Sequence, residues 1–248
     1  MTLTDSELAR YARHIVLPQV GGVGQNRLKS AAVAVIGAGG VGSAVLPALA
    51  GAGIGRLTII DGDKVELNNL HRQTIFREDD EGLPKAGRAA AFVVGLNHFV
   101  EVAAVTHRID RSNAIETLRD HDLVIDGSDN FATRLAVGDA CVELGIPVIS
   151  AAAIQFQGQI GLFEGKPCYR CFAGSAFDSE DCDNCAELGV LGALASTVGA
   201  FAALLAINRI AGVGPDQAGQ LHLFDGEKLS WRAIRIPPDS GCPTCGSA

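Results

Sequence analysis

AAVAVIGAGGVGSAVLPALAGAGIGRLTIIDGDKVELNNLHRQ, residues 31–73, is the stretch whose reading decides the fold. Ala31 to Ile36 is apolar and uncharged, the pattern of a strand buried on both faces of a parallel sheet. A glycine turn follows. Gly37, Gly39 and Gly42 form a G-x-G-x-x-G, with Gly40 in the same turn, directly before a stretch predicted helical from Val41 to Gly53. Without intervening side chains, backbone N–H groups and the positive end of that helix can come close to a phosphate. A second predicted strand, Leu57 to Ile60, delivers Asp61 at its tip, where a carboxylate can hold ribose hydroxyls. The pattern up to this point implies a nucleotide and no more.

The residues beyond Asp61 narrow it. A dinucleotide-dependent oxidoreductase has no use for Asp63, Asn68, Asn69, Arg72 and Gln73 clustered just past its ribose carboxylate. The string DGDKVELNNLHRQ resembles the D-x-D-x-V-x-x-x-N-L-x-R-Q signature of the ubiquitin-activating-like adenylating enzymes of the MoeB/ThiF/HesA family. The resemblance continues in RYARHIVLPQVGGVGQNRL, LPKAGRAA, VIDGSDNFATR, CYRC and CPTCG, and so covers nearly the whole chain. It implies an α/β fold: a Rossmann-like open sheet with helices on both faces, extended by antiparallel strands into a mixed sheet, plus a small zinc-knuckle region. It also implies one adenylation domain over 1–248, with an N-terminal helical arm (1–30), a nucleotide-binding core (31–150) and a carrier-binding and zinc-knuckle part (151–248).

Composition sets the bounds. The chain has 248 residues, 48% of them hydrophobic, so there is apolar side chain for a sizeable core. Its formal charge of −8 argues against nucleic acid or an anionic membrane as partner, since both require a basic field. The first residues are polar and carry Asp5, Glu7, Arg10 and Arg13, unlike a signal peptide. Seven cysteines in that context predict a reducing compartment, the cytoplasm, with thiols serving as ligands or reactive groups. Leu188 to Asn208 has no charge and is long enough to cross a bilayer, but it is rich in small residues, lacks interfacial Trp or Tyr and has an acidic flank, which predicts a buried helix.

In chain order, Thr4 to Val16 is predicted as one amphipathic helix opened by a Thr4/Glu7 capping box. Gly21, Gly22 and Gly24 read as a loop. Pro84 marks the first turn of a helix running to about Asn97. Lys85 at that terminus opposes the helix dipole, which calls for an anion. Val100 to Ile109 reads as a strand, Asn113 to His121 as a short helix, and Leu123 to Ile125 as a buried strand ending in DGSDN. Asp126 and Asp129 thus fall at the carboxyl edge of the sheet, and Asp129 or Asn130 caps a helix over Phe131 to Leu144. Pro147 to Ser150 is a further strand, while Ile154 to Glu164, Leu221 to Phe224 and Leu229 to Ile236 read as antiparallel strands.

Three C-x-x-C pairs occur: Cys168/Cys171, Cys182/Cys185 and Cys242/Cys245. Two such pairs can close a tetrahedral zinc-thiolate site, although their separation here is far longer than in a compact zinc ribbon. The resemblance assigns Cys168, Cys171, Cys242 and Cys245 to a structural Zn2+ remote from the chemistry. It places Cys185, followed after three intervening residues by Gly-Val, near the adenylate as a thiol that some family members link covalently to the carrier. Cys182 reads as a free thiol, Cys141 as a core residue.

The resemblance further implies ATP-dependent adenylylation of the C-terminal glycine carboxylate of a small ubiquitin-fold sulfur-carrier protein (MoaD/ThiS-like) ending in Gly-Gly. The pathway would be molybdopterin, thiamine or related sulfur-transfer biosynthesis. ATP would be held by Gly37, Gly39, Gly40, Gly42, Asp61, Asp63, Asn68, Asn69, Leu70, His71, Arg72, Gln73, Lys85, Asp129 and Asn130, with Asp129 on Mg2+. Arg72 and Lys85 would supply positive charge to the phosphates, together with Arg13 from the neighbouring subunit of a homodimer. Two rivals stand beside this: an NAD-dependent oxidoreductase, which leaves Asn69, Arg72, Gln73, Lys85 and Asp129 without a purpose, and a non-catalytic carrier-binding protein.

Overall fold

The structure, a computed structural model, describes residues 2–174 and 189–246. Eight strands form one sheet in the order β3-β2-β1-β4-β5-β6-β7-β8. The strands β1 (Ala32–Ile36), β2 (Arg56–Ile60), β3 (Glu101–Val105), β4 (Leu123–Asp126) and β5 (Val148–Ile154) run parallel. From β5 onward, β6 (Gln157–Phe163), β7 (Gln220–Asp225) and β8 (Ser230–Arg235) pair antiparallel. The sheet is mixed, as its sequence pattern implies. Alternation within β1 shows why both faces need covering: Val33 and Val35 enter one core, Ala34 and Ile36 the other.

On the first face lie α4 (Gly42–Ala52), α5 (Lys85–Leu96) and α9 (Gly192–Ala211). Leu46 and Leu49 of α4 are fully buried there, each worth about 1.5–3 kcal/mol in apolar transfer. The opposite face is covered by α6 (Ala114–Leu118), α7 (Phe131–Leu144) and α8 (Tyr169–Ala173). By length and composition α9 could cross a membrane, yet it packs on α4, β5 and β6 with Leu194, Val198, Ala202 and Ala206 buried. Gly199 makes the α4 crossing possible, because a Cβ there would collide with the Val41 carbonyl.

Several predicted elements differ. The N-terminal segment is broken into α1 (Asp5–Arg10) and α2 (Ala12–Ile15) at Tyr11, although its Thr4/Glu7 capping box is formed. Tyr11 is buried, and its hydroxyl accepts the Asn97 amide at 2.8 Å, so tertiary anchoring interrupts the helix. Gly21, Gly22 and Gly24 are not a loop but the start of α3 (Gly21–Ser30). Here packing overrides weak glycine propensity: Leu28 and Gln25 are fully buried, and a Cβ on Gly24 would stand 3.4 Å from Ala211 of α9. The strand expected over 100–109 is confined to β3, which lies at the sheet edge and is largely exposed. Leu188 lies outside the described residues, and the helix after it starts at Gly192.

Candidate active site

The chain order of the parallel strands reverses between β1 and β4, and the crevice beyond their carboxyl ends is where open α/β sheets hold ligands. Two turns meet there. Gly37, at φ +86°, leaves β1, and a Cβ on it would stand 3.0 Å from the Gly127 carbonyl of the turn leaving β4. A Cβ on Gly42 would collide with the Gly37 carbonyl. The third glycine therefore closes the turn onto its own helix, while Gly39 and Gly40 leave their backbone uncovered beside Gln73 and Arg72.

Asp61 ends β2 and ties this turn down. Its Oδ2 accepts the Ala38 N–H and its Oδ1 the Asp63 N–H, both at 2.8 Å. Burial pushes the Asp61 carboxyl above its ordinary value despite those two donors. Asp63 carries the next layer. It accepts Arg108 Nη2 on Oδ1 at 2.7 Å and Lys85 Nζ on Oδ2 at 3.3 Å. Burial raises Asp63, but the two cations outweigh it and hold the carboxyl below the usual carboxylate range. The anion that Lys85 requires at the start of α5 is thus Asp63 in the chain by itself. Lys85 is buried, with 7% of its side chain exposed.

The segment after Asp63 folds into a 3₁₀ turn, Leu67–Asn69, which brings its polar side chains onto one point. Asn69 Oδ1 accepts Arg72 Nη2 at 2.7 Å and Gln73 Nε2 at 3.3 Å. The Arg72 guanidinium also reaches the Asn68 carbonyl and the His71 ring. Gln73 is buried, its Nε2 lies beside Gly39, and its Oε1 has no partner among the described residues. Leu70 is half-buried against the first core and serves as the anchor of the turn. Gly192 at the start of α9 lies on the His71 and Arg72 backbone, where a Cβ could not fit.

On the β4 side, Asn130 is the N-cap of α7, accepting the Thr133 N–H at 2.8 Å, which resolves the choice between the two candidate caps. Asp129 is left exposed, with no hydrogen bond or ion pair among the described residues. Asp126 is buried and spends its carboxylate on the Ser128 N–H. An anion with free oxygens at the carboxyl edge of a parallel strand has the donor chemistry that a magnesium ion takes.

Two side chains that the sequence patterns did not single out complete the crevice. Arg134 is buried in α7 and donates to Ser150 Oγ at 2.7 Å, to the Ala151 carbonyl and to the Ser128 carbonyl, so it pins the turn that carries Asp129 to β5. Its place as the one cation of α7, four residues past the N-cap, was the available signal. Arg108, beyond the edge strand β3, had none. Conversely, Arg13 is exposed on α2 and makes no contact with the crevice residues within one chain. Cys182 and Cys185 lie outside the described residues.

The remaining cysteines converge elsewhere. The Sγ atoms of Cys168, Cys171, Cys242 and Cys245 lie within 4.8 Å of one another, with near pairs at 3.3, 3.6 and 4.0 Å. A tetrahedron of sulfurs about 2.3 Å from zinc has edges of about 3.8 Å, so the donor set fits that ion. Burial raises the Cys242 thiol, but backbone donors at Cys245 and Thr244 and the neighbouring thiols bring it down to about 7. The cluster packs on Val142, and Asp139 of α7 clamps both knuckles by accepting Arg170 Nε at 2.7 Å and Thr244 Oγ1 at 2.7 Å. Asp139 is nine residues from the N-cap of α7, about 14 Å along the helix. A cavity of ≈520 Å³ opens beside it, lined by Arg111, Asp139, Glu143, Arg170 and Thr244 and by none of the crevice residues.

A glycine turn, a carboxylate at the tip of β2 and a cluster of cationic and amide side chains on a mixed α/β sheet define a nucleotide-dependent enzyme of the adenylating class. The comparisons name it further: residues 11–244 match the ThiF family, and the chain belongs to that family. It is 44% identical to the sulfur carrier protein adenylyltransferase of Thermus thermophilus, over 99% of this chain and 93% of that one. It is 41% identical to the SAMP-activating enzyme E1 of Haloferax volcanii, over 99% and 92%. Among solved structures, E. coli MccB with ATP superposes at a TM-score of 0.83 with 25% identity, over 96% of this chain and 74% of that chain.

Proposed function

We propose that this chain is an ATP-dependent adenylyltransferase that activates the C-terminal glycine carboxylate of a small ubiquitin-fold sulfur-carrier protein. The observation that carries the reading is the polar cluster past Asp61: Asn69 gathers Arg72 and Gln73 beside the Gly39–Gly40 backbone, and Asp63 holds Lys85. The kinship with two adenylyltransferase-type relatives over nearly their full length supports it.

In this reading the carrier carboxylate attacks the α-phosphorus of ATP, forming an acyl-adenylate and expelling pyrophosphate. An ionised carboxylate requires no general base. The protein has to bring two anions together and neutralise charge on the phosphate oxygens. Arg72 and Lys85 supply that charge from within the chain, and Arg13 supplies more from the second subunit of a homodimer. Asn68 and Asn69, with Gln73, orient the phosphates, the Gly37–Gly42 turn lies along them, and Asp61 holds the ribose. Asp129 would hold magnesium, which would supply positive charge to the phosphate oxygens. The cysteine cluster holds zinc as a brace for the 151–248 part, and Cys185 is the candidate thiol for a link to the carrier. The pathway served is molybdopterin, thiamine or another thiocarboxylate route.

Carrier-dependent exchange of labelled pyrophosphate into ATP tests this directly. Exchange stimulated by a small protein ending in Gly-Gly is the expected result. Absence of exchange with every such carrier, or displacement of ATP by NAD in a binding assay, overturns it.

A further inference from the structure

Asp63 stands between two cations of opposite accessibility. Lys85 is enclosed and sits at the longer distance, 3.3 Å, while Arg108 has a 72% exposed side chain and sits at the shorter one, 2.7 Å. The Asp63 backbone is held apart from its own carboxylate: its N–H donates to Asp61 Oδ1, and its carbonyl accepts the Lys85 N–H at 2.9 Å. Arg108 is also laid in place by its stem. A Cβ on Gly62 would stand 2.8 Å from Arg108 Cγ and 3.1 Å from its backbone N, so Arg108 crosses the bare backbone at Gly62 and ends on Asp63.

This arrangement has an electrostatic consequence for an incoming polyphosphate. Lys85 must turn from Asp63 toward the phosphates, and a carboxylate deserted by its one cation would then face them as a bare negative charge. With Arg108 on Oδ1, Asp63 stays neutralised after Lys85 leaves Oδ2. We propose that Arg108 is a positioning residue for nucleotide binding, which compensates Asp63 so that Lys85 is free to serve the phosphate tail. The inference rests on the adenylylation reading and extends it to a residue outside the signature motifs.

The test is ATP and AMP affinity, by calorimetry on the full chain, for wild type, Arg108→Ala, Arg108→Lys, Asp63→Asn and the double variant. Arg108→Ala should weaken ATP binding about tenfold or more at low ionic strength and AMP binding far less, because the effect falls on the phosphate tail. Arg108→Lys should restore most of the loss. In the Asp63→Asn background, Arg108→Ala should change ATP affinity by less than about twofold, since the carboxylate in contact with Arg108 is gone and only the more weakly coupled Asp129 and Asp61 remain near it. Wild-type affinity in Arg108→Ala overturns the proposal, and so does an undiminished loss in the Asp63→Asn background, which would mean that Arg108 meets the nucleotide itself. Wild type failing to bind ATP would instead overturn the adenylylation reading on which the inference stands.

Discussion

Asp61 Oδ2 accepts the backbone N–H of Ala38 at 2.8 Å, so the acid at the end of β2 holds the glycine turn that leaves β1. One carboxylate thereby shapes the turn and, in the proposed reaction, meets the ribose. Hydrogen bonds to an ionised group are worth about 1.5–3 kcal/mol each, less the cost of burying the charge. Asp61→Ala should therefore lower unfolding stability by ~1–3 kcal/mol and weaken ATP binding at least tenfold. Urea unfolding and nucleotide titration on the same preparation check both halves. A variant that binds ATP poorly at unchanged stability would show that the turn holds its shape without Asp61.

Asp129 makes no described hydrogen bond or ion pair, and Arg72 bonds only within its own turn, so neither supports the fold. Removing one preorganised charge from such a site costs ~10²–10³ in rate. Asp129→Ala and Arg72→Ala should each lose pyrophosphate exchange by at least that factor, with far-UV circular dichroism and melting temperature as in wild type. Near-normal exchange in either variant would remove that residue from the proposed machinery.

Much of this site was legible before any coordinates. The glycine turn, Asp61 and the cap of α7 depend on local chemistry, since a bare backbone, a strand tip and an Asn before a helix act within a few residues of their own position. The antiparallel extension was legible for the same reason, its strands being separated by turn residues such as Asp225-Gly226. What stayed hidden depends on distant partners. Gly21 to Gly24 read as a loop until α9 supplied a surface for them to pack on, and Tyr11 breaks the first helix because Asn97 binds it. Arg108 sits in an unremarkable loop sequence and acquires meaning only from its contact with Asp63.

Asp139 joins Arg170 of the first knuckle and Thr244 of the second. Truncating it removes the carboxylate that both knuckles share. Asp139→Ala should raise the rate of zinc release to a chromogenic chelator severalfold, and Cys171→Ser should abolish stoichiometric zinc outright. Both should lower the melting temperature, and chelation of the wild type should do the same. Unaltered zinc retention in Asp139→Ala would mean that the thiols assemble without this clamp.

A methyl group on Gly42 would run into the Gly37 carbonyl. Backbone must move, so Gly42→Ala should destabilise by ~1–3 kcal/mol, the usual range for overpacking, and abolish ATP binding. A folded variant of wild-type affinity, measured by calorimetry, would contradict the close approach.

His121 is held neutral: burial lowers its pKa below 6.5, with Nε2 at 2.7 Å from Thr58 Oγ1 and Nδ1 at 3.2 Å from the Leu118 carbonyl. The unfolded chain takes up a proton near pH 6.5 and the folded chain resists until lower pH, so more protons are bound in the unfolded state across that interval. Stability from this residue is therefore present above about pH 6.5 and falls as pH drops through the lower folded value. Denaturant melts of wild type and His121→Gln between pH 5 and 7.5 should show a steeper decline in the wild type. Parallel curves would assign the pH dependence elsewhere.

The first thiol pair precedes the second by 74 residues. At ~5–20 residues per second, a ribosome needs about 4 to 15 seconds to make the stretch between them. For that interval a nascent chain carries half a ligand set, open to oxidants and to the wrong ions. The four-thiol cluster consequently closes only once the second pair has been made, and the first pair has to stay reduced until then.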